Sequence, residues 1–100
     1  MKIHNNIAEA ILRSLHEIFE ENKYADKVIE RILKSNPKWG ARDRRFIAET
    51  TYEIVRWYRL LHEITPKKTR ELEAIFGTYC EWKGEVPSDS IQEKIEFLAS

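Results

Sequence analysis

The sequence has few of the residues that cross-link a chain, interrupt helices or line phosphate loops. Its 100 residues include one cysteine, three glycines and three prolines. The lone Cys80 excludes an internal disulfide and a cysteine-based zinc cage. So little glycine and proline argues against collagen, low-complexity disorder and a turn-rich β-sandwich. Long apolar runs and a recognisable signal peptide are also missing. We therefore expect a single domain over residues 1–100, soluble and cytoplasmic, that is stabilised by packing.

The net charge is zero, but the charges are unevenly distributed along the chain. Residues 1–22 carry a net charge of −2, residues 23–70 carry +7, and residues 71–100 carry −5. A basic central segment suggests a polyanionic partner. Solvated helix faces that balance one another in the folded molecule are the alternative interpretation.

Apolar residues recur at helical spacing almost throughout the chain, and no alternating strand pattern of useful length is present. The pattern predicts an all-α, compact bundle of about five helices, over residues 6–21, 24–35, 43–64, 69–82 and 90–99. Asn36-Pro37 ends the second predicted helix, and Thr65-Pro66 ends the third. The third is predicted to be long, central and buried, with Trp57 and Ile64 within its apolar arc.

No arrangement typical of an active site is evident, so we expect no catalytic residue in this chain. His4, His16 and His62 lie far apart without the spacing of a metal-binding pair, which predicts no metal site. No glycine-rich phosphate loop is present. Cys80 lies in an acidic region that would not activate a thiolate, so it is predicted to be a partly buried structural thiol.

Basic residues with interleaved aromatic residues occupy the second predicted helix, the following loop and the third helix. Guanidinium groups bind phosphates and aromatic rings stack on unpaired bases, so this composition favours RNA binding. The candidate RNA-binding residues are Lys27, Arg31, Lys34, Lys38, Trp39, Arg42, Arg44, Arg45 and Arg59.

Structural roles are open for several of these positions. Arg45 has the spacing to pair with Glu49, and Arg59 with Glu63. Trp39 is either a surface aromatic or a hydrophobic plug over the second and third helices. A second group is predicted to act in the fold: Asp43, Tyr52, Arg56 and Trp57. Within it, Arg56 is expected to bond a buried carbonyl or Asp43, and Trp57 to pack in the core.

Three segments resemble a known family. They are Tyr24-Ala25-Asp26-Lys27-Val28-Ile29-Glu30-Arg31, then Asp43-Arg44-Arg45-Phe46-Ile47-Ala48-Glu49, and then Tyr52-Glu53-Ile54-Val55-Arg56-Trp57-Tyr58-Arg59-Leu60-Leu61. Their order and spacing resemble the NusB-like N-terminal domain of the RsmB/Sun family of bacterial ribosomal RNA cytosine-5 methyltransferases. The similarity covers roughly residues 1–65.

The resemblance implies a NusB-type helical bundle that serves as an RNA-binding accessory domain. In that family a separate domain binds S-adenosylmethionine and carries the catalytic cysteine in a Pro-Cys motif, whereas Cys80 here follows Tyr79. The chain is therefore expected to be a fragment of a longer methyltransferase, to be inactive alone, and to have ribosomal RNA and the catalytic domain as partners. The alternatives are a free-standing NusB-like antitermination factor and a protein adaptor that docks onto the catalytic domain.

Overall fold

The computed structural model describes residues 3–65 and 72–85 of the chain. Within these ranges the chain forms five α-helices and no β-strand: α1 (Asn5–Phe19), α2 (Ala25–Ser35), α3 (Ala41–Arg56), α4 (Tyr58–Ile64) and α5 (Leu72–Lys83). The predicted all-α architecture is confirmed. No helix in the described ranges is both long enough and apolar enough to cross a membrane.

The core is built around α1, which packs against α2, α3 and α5. Its apolar residues face inward as the helical spacing predicts, and Ile11 and Leu15 have no exposed surface. Ile32 from α2, Ile47 and Ile54 from α3, and Phe76 from α5 complete the same cluster. The predicted central position of the third helix is therefore taken by α1, because α1 buries residues on more of its circumference.

The first two helices agree closely with the prediction, but their connection has a feature that spacing does not reveal. After α1, Asn22 adopts a left-handed backbone conformation with φ 56°. The amide of Lys23 then donates to the carbonyl of Glu17 at 3.1 Å. This turn ends α1 two residues before the predicted boundary and directs the chain into α2.

The predicted helix over 43–64 is in fact divided into α3 and α4 at Trp57, whose φ and ψ are −101° and 15°. Trp57 and Ile64, predicted to be buried, are 38% and 56% exposed. Packing explains the break, since no proline or glycine lies near it. The ring of Tyr58 turns back to stack on Phe19 of α1, with 4.0 Å between ring centres.

Helix α5 confirms the predicted buried face of the fourth helix, which includes Leu72, Ile75, Phe76 and Tyr79. It ends where Gly84 takes a positive φ of 71°, which lets the Glu85 amide donate to the Cys80 carbonyl at 2.8 Å. Residues 69–71 of the predicted fourth helix, and the whole predicted helix 90–99, lie outside the described residues.

Candidate nucleic-acid interface

The predicted RNA-binding residues lie on α2, in the connector between α2 and α3, on α3 and on α4. Lys27 and Arg31 line a groove on α2, whereas Arg42 and Arg45 line a separate cleft at the start of α3. Lys34 is exposed near the end of α2, Lys38 in the connector that follows, and Arg59 on α4. Some of these basic side chains thus line two different pockets, and the α2–α3 connector lies between those pockets in the sequence.

The first surface, which we call the Tyr24 groove, has a volume of about 290 Å3. It is lined by Lys23, Tyr24, Lys27, Val28 and Arg31. Tyr24 is 84% exposed. Its carbonyl accepts the Val28 amide at 3.1 Å, so the backbone that carries the ring is fixed to the start of α2. The groove therefore presents an accessible aromatic ring among three cationic side chains.

Sequence reasoning did not include Tyr24 or Lys23 among the candidate residues. The signal was present: Tyr24 lies just before the apolar repeat of α2 and has a lysine on either side within three residues. Aromatic residues that fill a core lie on the buried face of a helix, whereas Tyr24 lies outside that face and is flanked by cations.

Carboxylates partly neutralise this groove. Glu17 of α1 is largely buried and accepts hydrogen bonds from Arg31 and, at 3.1 Å, from Lys23. The hydrogen bond from Arg31 is the main reason why the pKa of Glu17 lies below its usual value. Lys23 also contacts Glu21 at 3.2 Å. Lys27 has no ion pair within the described ranges.

At the other end of α2, Lys34 pairs with Glu30 at 2.9 Å. The connector is stiffened by the Lys38 amide, which donates to Asn36 Oδ1 at 3.1 Å and leaves the Lys38 side chain exposed. Trp39 is only partly exposed and packs against the core. Of its two predicted roles, the packing agrees with the hydrophobic plug.

Arg44 has a structural contact. Its guanidinium donates to the carbonyl of Leu33 at 2.9 Å, and the residue is half-buried. The last carbonyls of a helix lack partners within the helix, so this bond satisfies the end of α2 and joins it to α3. Arg44 is consequently less available to a phosphate than its sequence position suggested.

The four residues predicted to act in the fold have different environments. Tyr52 donates to Asp26 and thereby links α3 to α2, and this hydrogen bond raises the pKa of the tyrosine.

Arg56 lies over the ring of Trp57, with its guanidinium carbon 5.3 Å from the ring centre. Trp57 meets Trp82 edge to face at 6.2 Å. Asp43 is thirteen residues before Arg56 on α3, about 20 Å along the axis, so the expected Asp43–Arg56 pair does not form.

The second surface, which we call the α3 cleft, lies between residues 3–7 and the first turns of α3. Its volume is about 550 Å3. It is lined by Ile3, His4, Ile7, Ala41, Arg42, Asp43, Arg45, Phe46 and Glu49. The predicted Arg45–Glu49 and Arg59–Glu63 ion pairs are both missing from the part of the chain that the structure describes. Arg45 and Glu49 instead line the cleft side by side.

Within the described residues, no three His, Cys, Asp or Glu side chains converge as metal ligands would. Cys80 is buried, and desolvation raises its pKa to about 12. The thiol is therefore protonated at neutral pH and is a poor nucleophile.

Comparison with known proteins finds no matching family model, curated protein or solved structure.

Proposed function

We propose that this domain binds single-stranded RNA through the Tyr24 groove and the basic side chains that continue it along α2 and the connector. The observation that carries the proposal is the 84% exposed Tyr24 ring among Lys23, Lys27 and Arg31. An exposed tyrosine has no role in the core, whereas an aromatic ring beside cations is the usual platform for an unpaired base and its phosphates.

The spacing along α2 suits a nucleic acid backbone. Lys27, Arg31 and Lys34 recur at intervals of four and three residues, so they lie along one side of the helix, and Lys38 follows in the connector. Phosphates would lie along this row while a base stacks on Tyr24. Because the row contacts no base edges, this surface should bind with little sequence preference.

The affinity should depend on salt. If about four phosphates are neutralised, log K should fall against log salt with a slope of about −3, since each contact to a single strand contributes about −0.7. This slope is shallower than it would be if Arg44 also contacted a phosphate, because Arg44 caps α2 and lies outside the row.

We further propose that the domain serves as the RNA-binding accessory domain of a ribosomal RNA cytosine-5 methyltransferase. The support is the resemblance of the Asp43–Glu49 and Tyr52–Leu61 segments to that family. S-adenosylmethionine and catalysis would then belong to a domain outside this chain. The same groove would serve a free-standing antitermination factor, and the gene sequence after residue 100 decides between the two: a Pro-Cys motif favours the methyltransferase.

A second candidate function, docking onto a catalytic domain, is favoured by a different surface. Trp57, Leu60 and Trp82 are each more than a third exposed, and Trp57 and Trp82 touch edge to face. Exposed tryptophans are typical of protein interfaces. Under this hypothesis Trp82→Ala weakens binding to the catalytic fragment and leaves RNA affinity unchanged. If the variant weakened both interactions, the two partners would not bind to separate surfaces.

Fluorescence anisotropy with a labelled twelve-residue oligouridine tests the RNA proposal. Removing one stacking ring costs about 1–3 kcal/mol, so Tyr24→Ala should weaken binding about 5- to 150-fold, while Tyr24→Phe should retain most of the affinity. Lys27→Ala should also reduce the salt slope by about 0.7.

The matched control is Arg13→Ala. Arg13 is an exposed cation on α1 outside the groove, so this variant has the same net charge as Lys27→Ala. It should bind the oligonucleotide as the wild type does. Equal losses in Lys27→Ala and Arg13→Ala, or unchanged binding by Tyr24→Ala, would rule out the groove as the RNA site.

A further inference from the structure

The α3 cleft combines an apolar floor with charged groups of both signs. Its floor includes Ile3 and Ile7, which are almost completely buried, and Phe46, which packs against the core. A volume of about 550 Å3 is within the usual range for small-molecule sites. An apolar floor of this kind suits the ring of an aromatic ligand.

Three of the charged side chains that line the cleft have no side-chain partner among the described residues. Within the described residues, Asp43, Arg45 and Glu49 have no side-chain hydrogen bond or ion pair, although Arg45 and Glu49 lie one helical turn apart. An i, i+4 pair of opposite charge on a helix ordinarily gains from contact. Here both groups line the cleft, and both remain able to bind a ligand.

Carboxylates constrain the ligand because they only accept hydrogen bonds at neutral pH. Guanine has two adjacent donors on its Watson–Crick edge, the N1–H and the N2 amino group. Adenine and cytosine have an amino group next to an acceptor nitrogen, and uracil has one N–H between two carbonyl oxygens. A carboxylate therefore pairs fully with guanine and meets repulsion from the acceptors of the other three bases.

Of the two carboxylates, Glu49 is the better partner for a base. Asp43 lies in the first turn of α3, where the helix dipole already stabilises its charge. Glu49 lies six residues further along, on the same side of the helix as Arg45 and Phe46. One group of each kind is thus available on one helix face: an acceptor, a cation and an aromatic ring.

We infer that the α3 cleft binds a guanine nucleotide, with the base on Phe46, its N1–H and N2 amino group donating to Glu49, and its phosphate on Arg45. This inference deepens the proposed RNA binding and rests on it for one source of the ligand: the guanine belongs either to the bound RNA or to a free nucleotide. If the guanine belongs to the RNA, the α3 cleft selects one base, whereas the Tyr24 groove binds with little sequence preference.

Isothermal titration of the whole chain with mononucleotides tests the base selection directly. Inosine monophosphate lacks the N2 amino group and is otherwise equal to guanosine monophosphate. Since a hydrogen bond to a charged group contributes about 1.5–3 kcal/mol, guanosine monophosphate should bind about 10- to 150-fold more tightly than inosine monophosphate. Adenosine and uridine monophosphates should bind more weakly than either.

The variant Glu49→Gln should remove the preference for guanosine over inosine monophosphate. Glu63→Gln is the matched control, because Glu63 is an exposed glutamate on α4 outside the cleft, and it should keep the preference. Both positions are exposed, so thermal unfolding should show the two variants to be folded. Equal binding of the two nucleotides by the wild type, or a preference that survives in Glu49→Gln, would overturn the inference.

Oligonucleotides separate this inference from the proposed function. Oligouridine has no guanine, so its salt-dependent binding tests the Tyr24 groove alone. Replacing one central uridine by guanosine should raise the affinity about tenfold, and replacing it by inosine should not, if the ligand is in RNA. Selective binding of guanosine monophosphate without that increase assigns the cleft to a free nucleotide.

Discussion

Individual buried polar groups set local limits on the stability of this small core. Ser14 is fully buried, but its hydroxyl donates to the Ala10 carbonyl at 2.8 Å. Thr51 is equally buried, and its hydroxyl has no hydrogen-bond partner within the described residues. Burying a hydroxyl without a partner costs about 1–3 kcal/mol.

Thr51→Val should therefore stabilise the protein. Valine has nearly the same shape as threonine and removes the unpaired hydroxyl, so the free energy of unfolding should rise by about 1 kcal/mol in a urea titration. Ser14→Ala is the contrasting variant, since it removes a satisfied hydroxyl and should give no comparable gain. A lower stability for Thr51→Val would mean that the hydroxyl has a partner in solution.

His16 should make the stability depend on pH near neutrality. Burial opposes its protonation, but hydrogen bonds to Glu20 at 2.7 Å and to the buried Glu73 at 3.3 Å outweigh that effect and raise the pKa of His16 above 6.5. The stabilisation is fully present below pH 6.5 and is lost as the pH rises through the raised pKa.

Urea unfolding at pH 6 and pH 8.5 measures this contribution. The wild type should be more stable at pH 6, and His16→Gln should reduce the difference between the two values. His4→Gln is the control, because the exposed His4 has no side-chain partner within the described residues. An unchanged pH dependence in His16→Gln would contradict the proposed role of the His16–Glu73 contact between α1 and α5.

The spacing of apolar residues predicted the helices, but the ends of the helices and the break at Trp57 depend on contacts that the spacing does not reveal. The apolar repeats predicted α1, α2 and the inner face of α5 because a buried helix face leaves a periodic signal in the sequence. The break at Trp57 left no such signal, since it depends on the distant stacking of Tyr58 on Phe19. For the candidate site, helical spacing predicted that Lys27 and Arg31 share one side of α2. The long-range contacts of Arg44 and Glu17 could not be predicted from spacing.

The α1–α2 connection depends on the left-handed conformation of Asn22, with φ 56°. Most residues lose about 1–2 kcal/mol in this conformation, asparagine loses less, and glycine loses almost nothing. Asn22→Ala should therefore lower the free energy of unfolding by about 1 kcal/mol, and Asn22→Gly should leave it unchanged or slightly higher. Equal destabilisation by both variants would show that the asparagine side chain, and not the backbone conformation, matters.

At the scale of the whole molecule, the same residues join folding to the proposed RNA binding. Glu17 of the central helix accepts hydrogen bonds from Lys23 and Arg31, two of the side chains that line the Tyr24 groove. The carboxylate fixes α2 against α1, and it also competes with any phosphate for the two cations. The Tyr24 groove is therefore partly neutralised by a carboxylate of the same molecule, whose net charge is zero.

Glu17→Gln should therefore change stability and RNA affinity in opposite directions. Losing the two charged contacts should lower the free energy of unfolding by about 1 kcal/mol, because the cations are half exposed and water replaces part of the interaction. Lys23 is not among the four cations of the row, so its release to the RNA should steepen the salt slope by about 0.7.

Glu30→Gln separates the two effects, because Glu30 and Lys34 are both exposed. It should strengthen oligouridine binding by releasing one cation and leave the urea midpoint unchanged. Low pH provides the complementary measurement: the lowered pKa of Glu17 means that its stabilisation is lost as the pH falls through that value, and Glu17→Gln should weaken this acid dependence. If Glu17→Gln binds oligouridine no more tightly than the wild type, RNA does not contact Lys23 or Arg31, and the path of the strand along α2 is wrong.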